Sequence, residues 1–332
     1  MKKIGSKIIG HGKTFVIAEG GLNHNGDIKI AKQLVESALD CGADAIKFQT
    51  YKTENFVRDT NQYFDVFKKA ELSFDEFEEL KDYCDDLDII FFSTPFDLDS
   101  VTFLNNLEVP CFKVASSDLT NFPLIREIAK TNKPIIISSG LATIGEIEEA
   151  VEWCSVEGNN NLAILHCVAN YPTQPDEVNM EVLNSLKKIF PFPIGYSDNG
   201  ESTLVDILAV SMGATIIEKH FTLNKNMSGP DHSFSIEPSG LKKLIEDIRL
   251  IDKMKGDGIK IPQKSEIKNK IAIRKSLTVK NNFLKGHILQ ENDISIKRPA
   301  DGIEPKFLPN IIGKKLAVDI KKDSPINWSS IV

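Results

Sequence analysis

The sequence predicts an α/β chain, a (β/α)8 TIM barrel followed by a small β-rich domain. Eight short apolar runs alternate with helix-like segments up to residue 255, and almost every run ends in a polar side chain. The last 60 residues contain short strand-like runs separated by turns. A barrel of this kind uses about 250 residues. Within the 332 residues we therefore expect a barrel at 1–255, a linker at 256–272 and a small domain at 273–332.

Each predicted barrel strand is a compact apolar run, as a strand covered on both faces requires. The eight strands are predicted at Thr14–Glu19, Ala43–Gln49, Asp88–Ser93, Cys111–Ala115, Pro134–Ser138, Leu162–His166, Pro193–Tyr196 and Thr215–Lys219. The segments between them carry apolar residues at helical spacing. Helices are predicted at Ile28–Cys41, Phe74–Cys84, Leu98–Asn105, Phe122–Lys130, Ile144–Cys154 and Gly240–Lys255.

The chain changes character after the barrel. Residues 256–272 are polar and contain two Gly and one Pro, which is typical of a linker. Short strands are then predicted at Ser276–Val279, His287–Leu289, Ile294–Lys297 and Leu316–Ile320. About 60 residues is near the lower size limit for a domain that folds alone.

Composition excludes several classes of protein. The chain is 41% hydrophobic and 26% charged, as expected for a soluble globular protein. The best apolar run, Ile89–Phe92, is far shorter than a membrane span, and the basic N-terminus lacks the apolar stretch of a signal peptide. We therefore expect a cytoplasmic protein. The five cysteines are odd in number and form no C-x-x-C pair, which predicts reduced thiols and no structural zinc.

Charge is unevenly distributed along the chain. The net charge of −7 disfavours a nucleic-acid-binding protein. Residues 273–332 contain 11 Lys and Arg against 6 Asp and Glu, whereas residues 1–272 contain 29 against 41. This division has two interpretations: it is ordinary solvated surface, or the basic tail docks on an acidic body or helps to hold an anion.

The predicted strand ends carry the chemistry, because barrel enzymes place their catalytic groups there. Lys47 and Lys113 end two different strands inside otherwise apolar runs. Hydroxyl groups lie at the ends of three others, at Ser93 and Thr94, Ser138 and Ser197, and Ser116 follows the strand of Lys113. Two ammonium groups with several hydroxyls make an electropositive cup that suits a phosphate or a carboxylate.

Two further groups of residues stand at strand ends. Glu19 opens a Gly-rich segment that extends to Asp27, where backbone can approach a ligand, although a rim carboxylate in a salt bridge would look the same. His220 and Asp231, with the polar end of strand seven, could hold a divalent metal through nitrogen and oxygen ligands. A lone strand-end histidine is more often simply hydrogen-bonded.

Many independent motifs, in order along nearly the whole chain, resemble those of the sialic acid synthase family. In the barrel they are VIAEGGLNHNGD, GADAIKFQTYK, FFSTPFD, FKVASSDLTNFPLI, IIISSGLAT, LHCVANYPT, IGYSDN, IIEKHFTL and GPDHSFSIEP. In the tail, AIRKSLTVKNNFLKGHILQENDISIKRPADGI and IIGKKLAVDI resemble the family's antifreeze-like (SAF) domain. The resemblance implies an enzyme that condenses phosphoenolpyruvate with N-acetylmannosamine or a related amino-sugar.

The resemblance also implies roles for individual residues. Glu19 matches the carboxylate that acts at the reacting sugar, and His220 matches a metal ligand. The positions that match phosphoenolpyruvate-binding residues are Lys47, Thr94, Lys113, Ser116, Ser138 and Ser197. The positions near the sugar are Gln49, Asp118 and Tyr171. Arg298 matches an arginine that the small domain extends into the partner's site in a domain-swapped homodimer.

Two positions depart from the family pattern. Asn199 stands where a second metal-binding histidine is usual, and Ala169 stands where Asn or Ser is frequent. An amide oxygen still binds a hard ion such as Mg²⁺ or Mn²⁺. In related barrel enzymes an Asn at a ligand position accompanies metal-independent catalysis, so both possibilities stay open at this point.

Two other functions are compatible with the sequence. A Schiff-base aldolase or lyase on the same barrel would use Lys47, Lys113 or Lys219 as its nucleophile. A non-catalytic sugar-binding protein is the other alternative, which Asn199 favours. Within the synthase interpretation, the sequence does not distinguish N-acetylmannosamine from its 6-deoxy-diacetamido relatives as acceptor.

Overall fold

The computed structural model describes residues 3–10 and 12–332. The chain divides into two compact units, Met1–Gly256 and Asp257–Val332. The first unit ends one residue beyond the predicted barrel, and the second unit includes the segment that the sequence analysis assigns to a linker.

A short antiparallel hairpin precedes the barrel and is not predicted by the sequence analysis. Its strands are β1 (Lys3–Ile4) and β2 (Lys7–Ile8). A Cβ atom on Gly5 would lie 3.2 Å from the Ile90 side chain, so the hairpin sits at the N-terminal ends of the barrel strands. Ile4 is fully buried there. Two-residue strands carry no measurable alternation, which explains why the sequence pattern does not reveal them.

Eight parallel strands close into a barrel, which confirms the predicted fold class. They are β3 (Phe15–Gly21), β4 (Ala45–Thr50), β5 (Ile90–Pro95), β6 (Phe112–Val114), β7 (Ile135–Ser138), β8 (Leu162–Cys167), β9 (Ile194–Asp198) and β10 (Ile216–His220). Strand β10 pairs with β3 and so closes the sheet. Most of these residues are buried, because helices cover the outside and side chains fill the inside.

Helices follow the strands, and six of them lie at the predicted places. They are α1 (Ile28–Asp40), α2 (Thr53–Phe56), α3 (Phe64–Ala70), α4 (Phe74–Asp86), α5 (Leu98–Asn106), α6 (Phe122–Lys130), α7 (Ile144–Val156), α8 (Val182–Ile189), α9 (Leu204–Ser211) and α10 (Pro238–Lys255). The Asp27 side chain caps α1 by accepting a hydrogen bond from the Lys29 N–H. Ser73 and Thr143 form capping boxes at α4 and α7. The helices α2, α3, α8 and α9 are not among the predicted elements.

The second unit has its own small sheet and core. Helix α11 (Lys264–Ile273) lies within the predicted linker and continues to its end. Strands β11 (Ser276–Val279) and β12 (Ile294–Lys297) form an antiparallel pair, and the short helix α12 (Leu308–Ile311) follows. Single bridges, such as that between Ile288 and Lys315, join the remaining segments. The buried core includes Leu277, Val279, Leu289, Ile311 and Ile326.

Two global features complete the description. No helix among the described residues is long and apolar enough to cross a membrane. All five cysteines are buried and free, as the sequence analysis expects for reduced thiols. What matters for function is the C-terminal end of the barrel, where the inward-facing side chains of all eight strands meet.

Candidate active site

A pocket of about 370 Å³ opens to solvent at the C-terminal ends of the barrel strands. It is lined by Glu19, Lys47, Gln49, Thr94, Phe96, Lys113, Ala115, Ser116, Ser138, Cys167, Tyr171, Ser197, Asn199, Glu218 and His220. Eleven of these fifteen residues are the strand-end positions that the sequence analysis singles out, so the barrel does bring them together.

Lys47 is the centre of one half of the pocket. Its Nζ lies 2.7 Å from Glu19 Oε2, donates to Thr94 Oγ1 at 2.7 Å and is 3.9 Å from Glu218 Oε2. Although burial lowers it, the two carboxylates raise the pKa of Lys47 above its ordinary value, so the ammonium stays charged. Burial raises the pKa of Glu19 to about 7, and only part of this effect is offset by Lys47. Glu19 is therefore ready to exchange a proton near neutral pH.

Lys113 is the centre of the other half. Its Nζ donates to Ser138 Oγ at 2.6 Å and lies 3.5 Å from Glu218 Oε1. Burial lowers the pKa of Lys113. Glu218 also accepts a hydrogen bond from Ser197 Oγ at 2.8 Å. Burial alone would raise the pKa of Glu218, but Lys113 and Lys47 reverse the effect and lower it, so its carboxylate is ionised between the two lysines.

The hydroxyl groups complete an anion-binding cup. Thr94 and Ser138 already contact the lysines, and Ser116 Oγ accepts the Gly140 N–H at 3.1 Å, which turns that hydroxyl toward the pocket lining. Two ammonium groups and several hydroxyls in a largely buried setting match the chemistry of a bound phosphate or carboxylate. The electropositive cup predicted from the sequence is therefore present, but with the Glu218 carboxylate at its centre.

His220 occupies the opposite wall, where ring packing holds it. Its ring meets Tyr171 at 5.8 Å and Phe234 at 5.1 Å between centroids, both edge to face. Its Nδ1 is buried and has no hydrogen-bond partner among the described residues. Burial, helped by the charge of Lys47, lowers the pKa of His220 to about 3, so the imidazole is neutral, which is the form that binds metals.

Asn199 faces the same pocket with its amide fixed by the neighbouring strand end. Its Nδ2 donates to Val168 O at 2.8 Å and contacts Cys167 Sγ at 3.4 Å, so the amide oxygen is the free end. Among the described residues no group of three or more His, Cys, Asp and Glu side chains could hold a metal. His220 and Asn199 both line this pocket.

Four predicted residues do not line the pocket, namely Asp118, Arg298, Asp231 and Ser93. The Ser93 hydroxyl instead donates to Phe48 O at 2.9 Å. Asp118 lies in a 3₁₀ turn beside the pocket, where its carboxylate accepts hydrogen bonds from Ser117 Oγ and Asn121 Nδ2. Burial raises the pKa of Asp118. Arg298 belongs to the second unit, and its side chain is exposed there. Their roles stay predictions.

Glu218 is the central residue that sequence reasoning did not assign a role. Both Glu218 and Lys219 end strand β10, and the string alone does not say which of the two faces inward. Asp231 also lies near Glu19, because a Cβ on Gly21 would be 3.1 Å from Glu19 Oε1 and 3.2 Å from Asp231 Oδ2. Burial raises the pKa of Asp231 to about 6.

Comparison with known families places the chain. The NeuB family profile matches residues 34–260, and the SAF domain profile matches residues 274–332. This chain belongs to the NeuB family. As a NeuB enzyme it is a transferase that forms carbon–carbon bonds, and the resemblance noted from its motifs is confirmed.

Curated relatives extend over nearly the full length. The chain is 48% identical to an uncharacterized protein, MJ1065, of Methanocaldococcus jannaschii, over 99% of this chain and 98% of that protein. It is 44% identical to the N,N'-diacetyllegionaminic acid synthase of Campylobacter jejuni, over 95% of this chain and 99% of that enzyme. Both the barrel and the SAF domain of this NeuB chain are therefore shared with these relatives.

A solved structure shares the same architecture. The N-acetylneuraminic acid (sialic acid) synthetase of Leptospira borgpetersenii, in complex with citrate, superposes with a TM-score of 0.77 at 37% identity. The match covers 80% of this chain and 94% of that one. The NeuB barrel described above therefore has the same fold as this solved synthetase.

Proposed function

We propose that this NeuB enzyme condenses phosphoenolpyruvate with an N-acylated hexosamine, giving a nine-carbon 2-keto sugar acid and phosphate. The observation that carries the proposal is the pairing of an anion cup with a proton-exchanging carboxylate in one pocket. Lys47 and Lys113 provide the cup, and Glu19 provides the carboxylate. The names of the curated relatives, which are sugar-acid synthases, support it.

Phosphoenolpyruvate is the substrate that the cup accommodates. Its phosphate and carboxylate need several charge-assisted hydrogen bonds, which Lys47, Lys113, Thr94 and Ser138 supply from four different strands. In the free enzyme, Glu218 takes the place of such an anion beside both lysines. Because these donors are fixed by the barrel, little reorganisation is needed when the substrate binds.

The chemical step follows from the groups at the other end of the pocket. The enol carbon of phosphoenolpyruvate forms a bond to the aldehyde carbon of the open-chain sugar, and the aldehyde oxygen takes up a proton. Water then adds to C2 of the former enolpyruvate, and phosphate leaves as the C2–oxygen bond breaks. Glu19, whose pKa is raised to about 7 by burial, handles a proton in opening the sugar ring or at the attacked aldehyde.

The acceptor would lie above the anion cup. Gln49 and Tyr171 line the pocket there, and Asp118 lies on the adjoining turn. We propose that these residues contact the sugar hydroxyl and acylamino groups. The Campylobacter jejuni relative is named an N,N'-diacetyllegionaminic acid synthase, so a diacetamido hexose leads the set of acceptors to test, with N-acetylmannosamine beside it.

We also propose that a divalent cation, Mg²⁺ or Mn²⁺, binds at His220 and Asn199. The neutral imidazole with its unpartnered Nδ1 and the free amide oxygen support this proposal. A cation bound there would supply Lewis-acid polarisation of the sugar aldehyde. An amide in place of an imidazole favours a hard, weakly held ion, so a chelator should remove it readily.

The active unit is proposed to be a homodimer. Helix α11 of the second unit exposes Ile267 and Ile271, which are one helical turn apart, and Ile273 follows at its end. Exposed apolar side chains in such a row are typical of a protein–protein interface. The family resemblance adds that Arg298 of one subunit serves the sugar site of its partner.

The experiment that tests the function is an acceptor screen. The purified chain is incubated with phosphoenolpyruvate and each of several N-acylated hexosamines, with added Mn²⁺ or with chelator, and phosphate and product mass are measured. We expect phosphate release that depends on both substrates and a product whose mass is that of a nine-carbon keto acid. If none of the acceptors supports phosphate release, the proposal is wrong.

Two controls separate this reaction from the alternatives. The Glu19→Gln variant should still bind phosphoenolpyruvate but should not form product. Borohydride treatment in the presence of pyruvate should leave the mass of the chain unchanged, because no imine forms on Lys47 or Lys113. A trapped adduct on either lysine would favour the Schiff-base enzyme instead.

A further inference from the structure

A buried ionic cluster lies on the outer side of the barrel wall, behind the pocket. It consists of Asp198 at the end of β9, Lys219 in β10 and Asp206 in α9, each 1% exposed or less. Side chains alternate along a strand, so Lys219 points away from the pocket that Glu218 and His220 line. The proposed reaction uses none of the three groups.

Lys219 is the hub of this cluster. Its Nζ forms an ion pair with the Asp198 carboxylate, donates to Gly200 O at 2.7 Å and lies 3.6 Å from Asp206 Oδ2. A lysine ammonium has three donors and no acceptor, and two of the donors form hydrogen bonds here, to the Asp198 carboxylate and to Gly200 O, while Asp206 is an ion-pair neighbour. The side chain therefore ties a strand end, the following turn and a helix to one point.

The turn after β9 is held from both sides. Asp198 Oδ1 accepts the Gly200 N–H at 2.8 Å, while Lys219 holds the Gly200 carbonyl. A Cβ on residue 200 would lie 3.1 Å from Asp198 Oδ1 and 3.2 Å from Thr173 O, so glycine allows this close approach. The preceding residue, Asn199, is additionally fixed because its carbonyl accepts the Thr173 N–H at 3.2 Å.

The position of this turn decides what faces the pocket. Ser197 and Asn199 flank Asp198 on the same strand end, and both line the pocket. Ser197 reaches Glu218 in the anion cup, and Asn199 presents its amide oxygen on the wall shared with His220. A displacement of Asp198 or Gly200 would move both side chains, because Ser197 and Asn199 are the chain neighbours of Asp198 and Asn199 also precedes Gly200.

Stability does not account for the cluster. A buried ion pair contributes little over an apolar replacement of similar volume, because desolvation of the charges offsets their attraction. Burial, together with the neighbouring Asp198 carboxylate, raises the pKa of Asp206 well above its ordinary value, so the cluster carries an electrostatic cost of its own. What the arrangement provides is a fixed geometry for the turn.

We propose that Lys219 is a positioning residue, which acts through Asp198 and Gly200 to hold Ser197 and Asn199 in place in the pocket. The catalytic meaning of this inference rests on the proposed function. The structural part, that Lys219 fixes the turn after β9, does not depend on the proposed function.

The test uses a variant that avoids an unpaired buried charge. Lys219→Met alone leaves Asp198 uncompensated, so the Lys219→Met/Asp198→Asn double variant is compared with wild type. The matched control is Lys133→Met, because Lys133 is also partly buried and donates to a carbonyl, Asn105 O at 3.1 Å, at another place in the barrel.

Two measurements are made on each full-length protein. Hydrogen exchange of segment 198–203 should be at least about tenfold faster in the double variant and unchanged in Lys133→Met. In the condensation assay, kcat should fall by about tenfold or more and the Mn²⁺ concentration for half-maximal activity should rise, because Ser197 and Asn199 lose their fixed positions.

The outcomes separate the two proposals. If wild type catalyses no condensation, the proposed function is overturned, and hydrogen exchange still decides whether Lys219 fixes the turn. If wild type is active and the double variant has the same exchange rate and the same kcat, the positioning role is overturned. Slower catalysis with equally protected amides would likewise contradict it, because the turn would then be fixed without Lys219.

Discussion

The Glu218 carboxylate is the negative charge that lies between the two pocket lysines. Its two oxygens lie 3.5 Å from Lys113 Nζ and 3.9 Å from Lys47 Nζ, and it accepts the Ser197 hydroxyl. Two buried ammonium groups without a counter-ion would repel each other and lose solvation. Glu218 offsets this cost, because its negative charge raises the pKa of both lysines against the effect of burial.

The ion pair between Lys113 and Glu218 leads to a first prediction. The Lys113→Met variant should lose nearly all condensation activity and about 3 kcal/mol of unfolding free energy, because Glu218 is left buried without its nearer cation. Urea denaturation and the phosphate-release assay measure the two effects separately.

The double variant Lys113→Met/Glu218→Gln is the control for this prediction. It should recover most of the lost stability, since no uncompensated charge stays buried, but none of the activity. A Lys113→Met protein with wild-type kcat/KM would show that this lysine does not hold the substrate.

His24 gives a prediction about pH. It is buried, its Nδ1 accepts the Gly26 N–H, and burial lowers its pKa to about 4. A histidine with a lowered pKa in the folded state stabilises the fold above its unfolded pKa of about 6.5, and this contribution is lost as the pH falls toward 4. We expect His24 to account for roughly 2–3 kcal/mol of the stability lost between about pH 7.5 and about pH 4.5.

His24→Asn tests this contribution, because an amide oxygen can accept the same N–H. Unfolding free energies are measured at both pH values for wild type and variant, so that other titrating groups cancel. The wild-type protein should lose more stability on acidification than the variant. An equal loss in the two proteins would contradict the assignment.

At the scale of elements, the segment between β4 and α4 shapes the rim of the pocket. Its helices α2 and α3 bring Phe56 and Phe67 onto Tyr51, and Phe96 joins the same aromatic cluster. Phe96 also lines the pocket. The cluster therefore links this segment to the site, and it gives the acceptor region an apolar wall.

The turn before α1 packs against the end of α3 so closely that it requires glycine. Gly26 has φ +75°, and a Cβ there would lie 2.2 Å from Lys69 O. Gly26→Ala should therefore cost well over 2 kcal/mol of unfolding free energy, because a backbone atom rather than a flexible side chain must move.

Gly158→Ala is the matched control for the glycine prediction. Gly158 has φ +85° and nothing within 4 Å of a Cβ, so its replacement should cost only about 1 kcal/mol, from backbone strain alone. Denaturant unfolding of both variants measures the difference. Equal costs would mean that the contact with Lys69 is relieved by movement of α3.

At the scale of the whole molecule, the proposed dimer makes a prediction about mixed chains. Glu19→Gln removes the carboxylate proposed to be catalytic from the barrel, and Arg298→Ala removes the arginine from the second unit. Each variant alone should be nearly inactive. Co-expressed, they should regain up to about a quarter of wild-type activity, because random pairing leaves one intact site in half of the swapped dimers.

Light scattering accompanies this experiment. It should give twice the chain mass for wild type and for both variants. Activity that does not recover in the mixture, with dimers present, would show that Arg298 does not serve the partner's site.

The fold class and most of the pocket-lining residues follow from the amino-acid sequence alone. Buried strands need compact apolar runs, so eight of them could be found, and Ser276–Val279 and Ile294–Lys297 were located to the residue. Because parallel strands of a barrel end on one side, the polar residue at each strand end pointed to a common site. Lys47 and Lys113 were identified in this way before any contact was known.

Which of two adjacent strand residues faces the pocket, and which charged side chains pair, depends on the folded chain. Glu218 and Lys219 are adjacent charged residues, and the sequence does not distinguish their roles. In the structure, Glu218 pairs with the pocket lysines, whereas Lys219 donates a hydrogen bond to the turn behind the pocket. That difference depends on strand register and barrel closure, which join residues far apart in the chain. Side-chain alternation assigns a face to each residue only once the neighbouring strands have fixed the register.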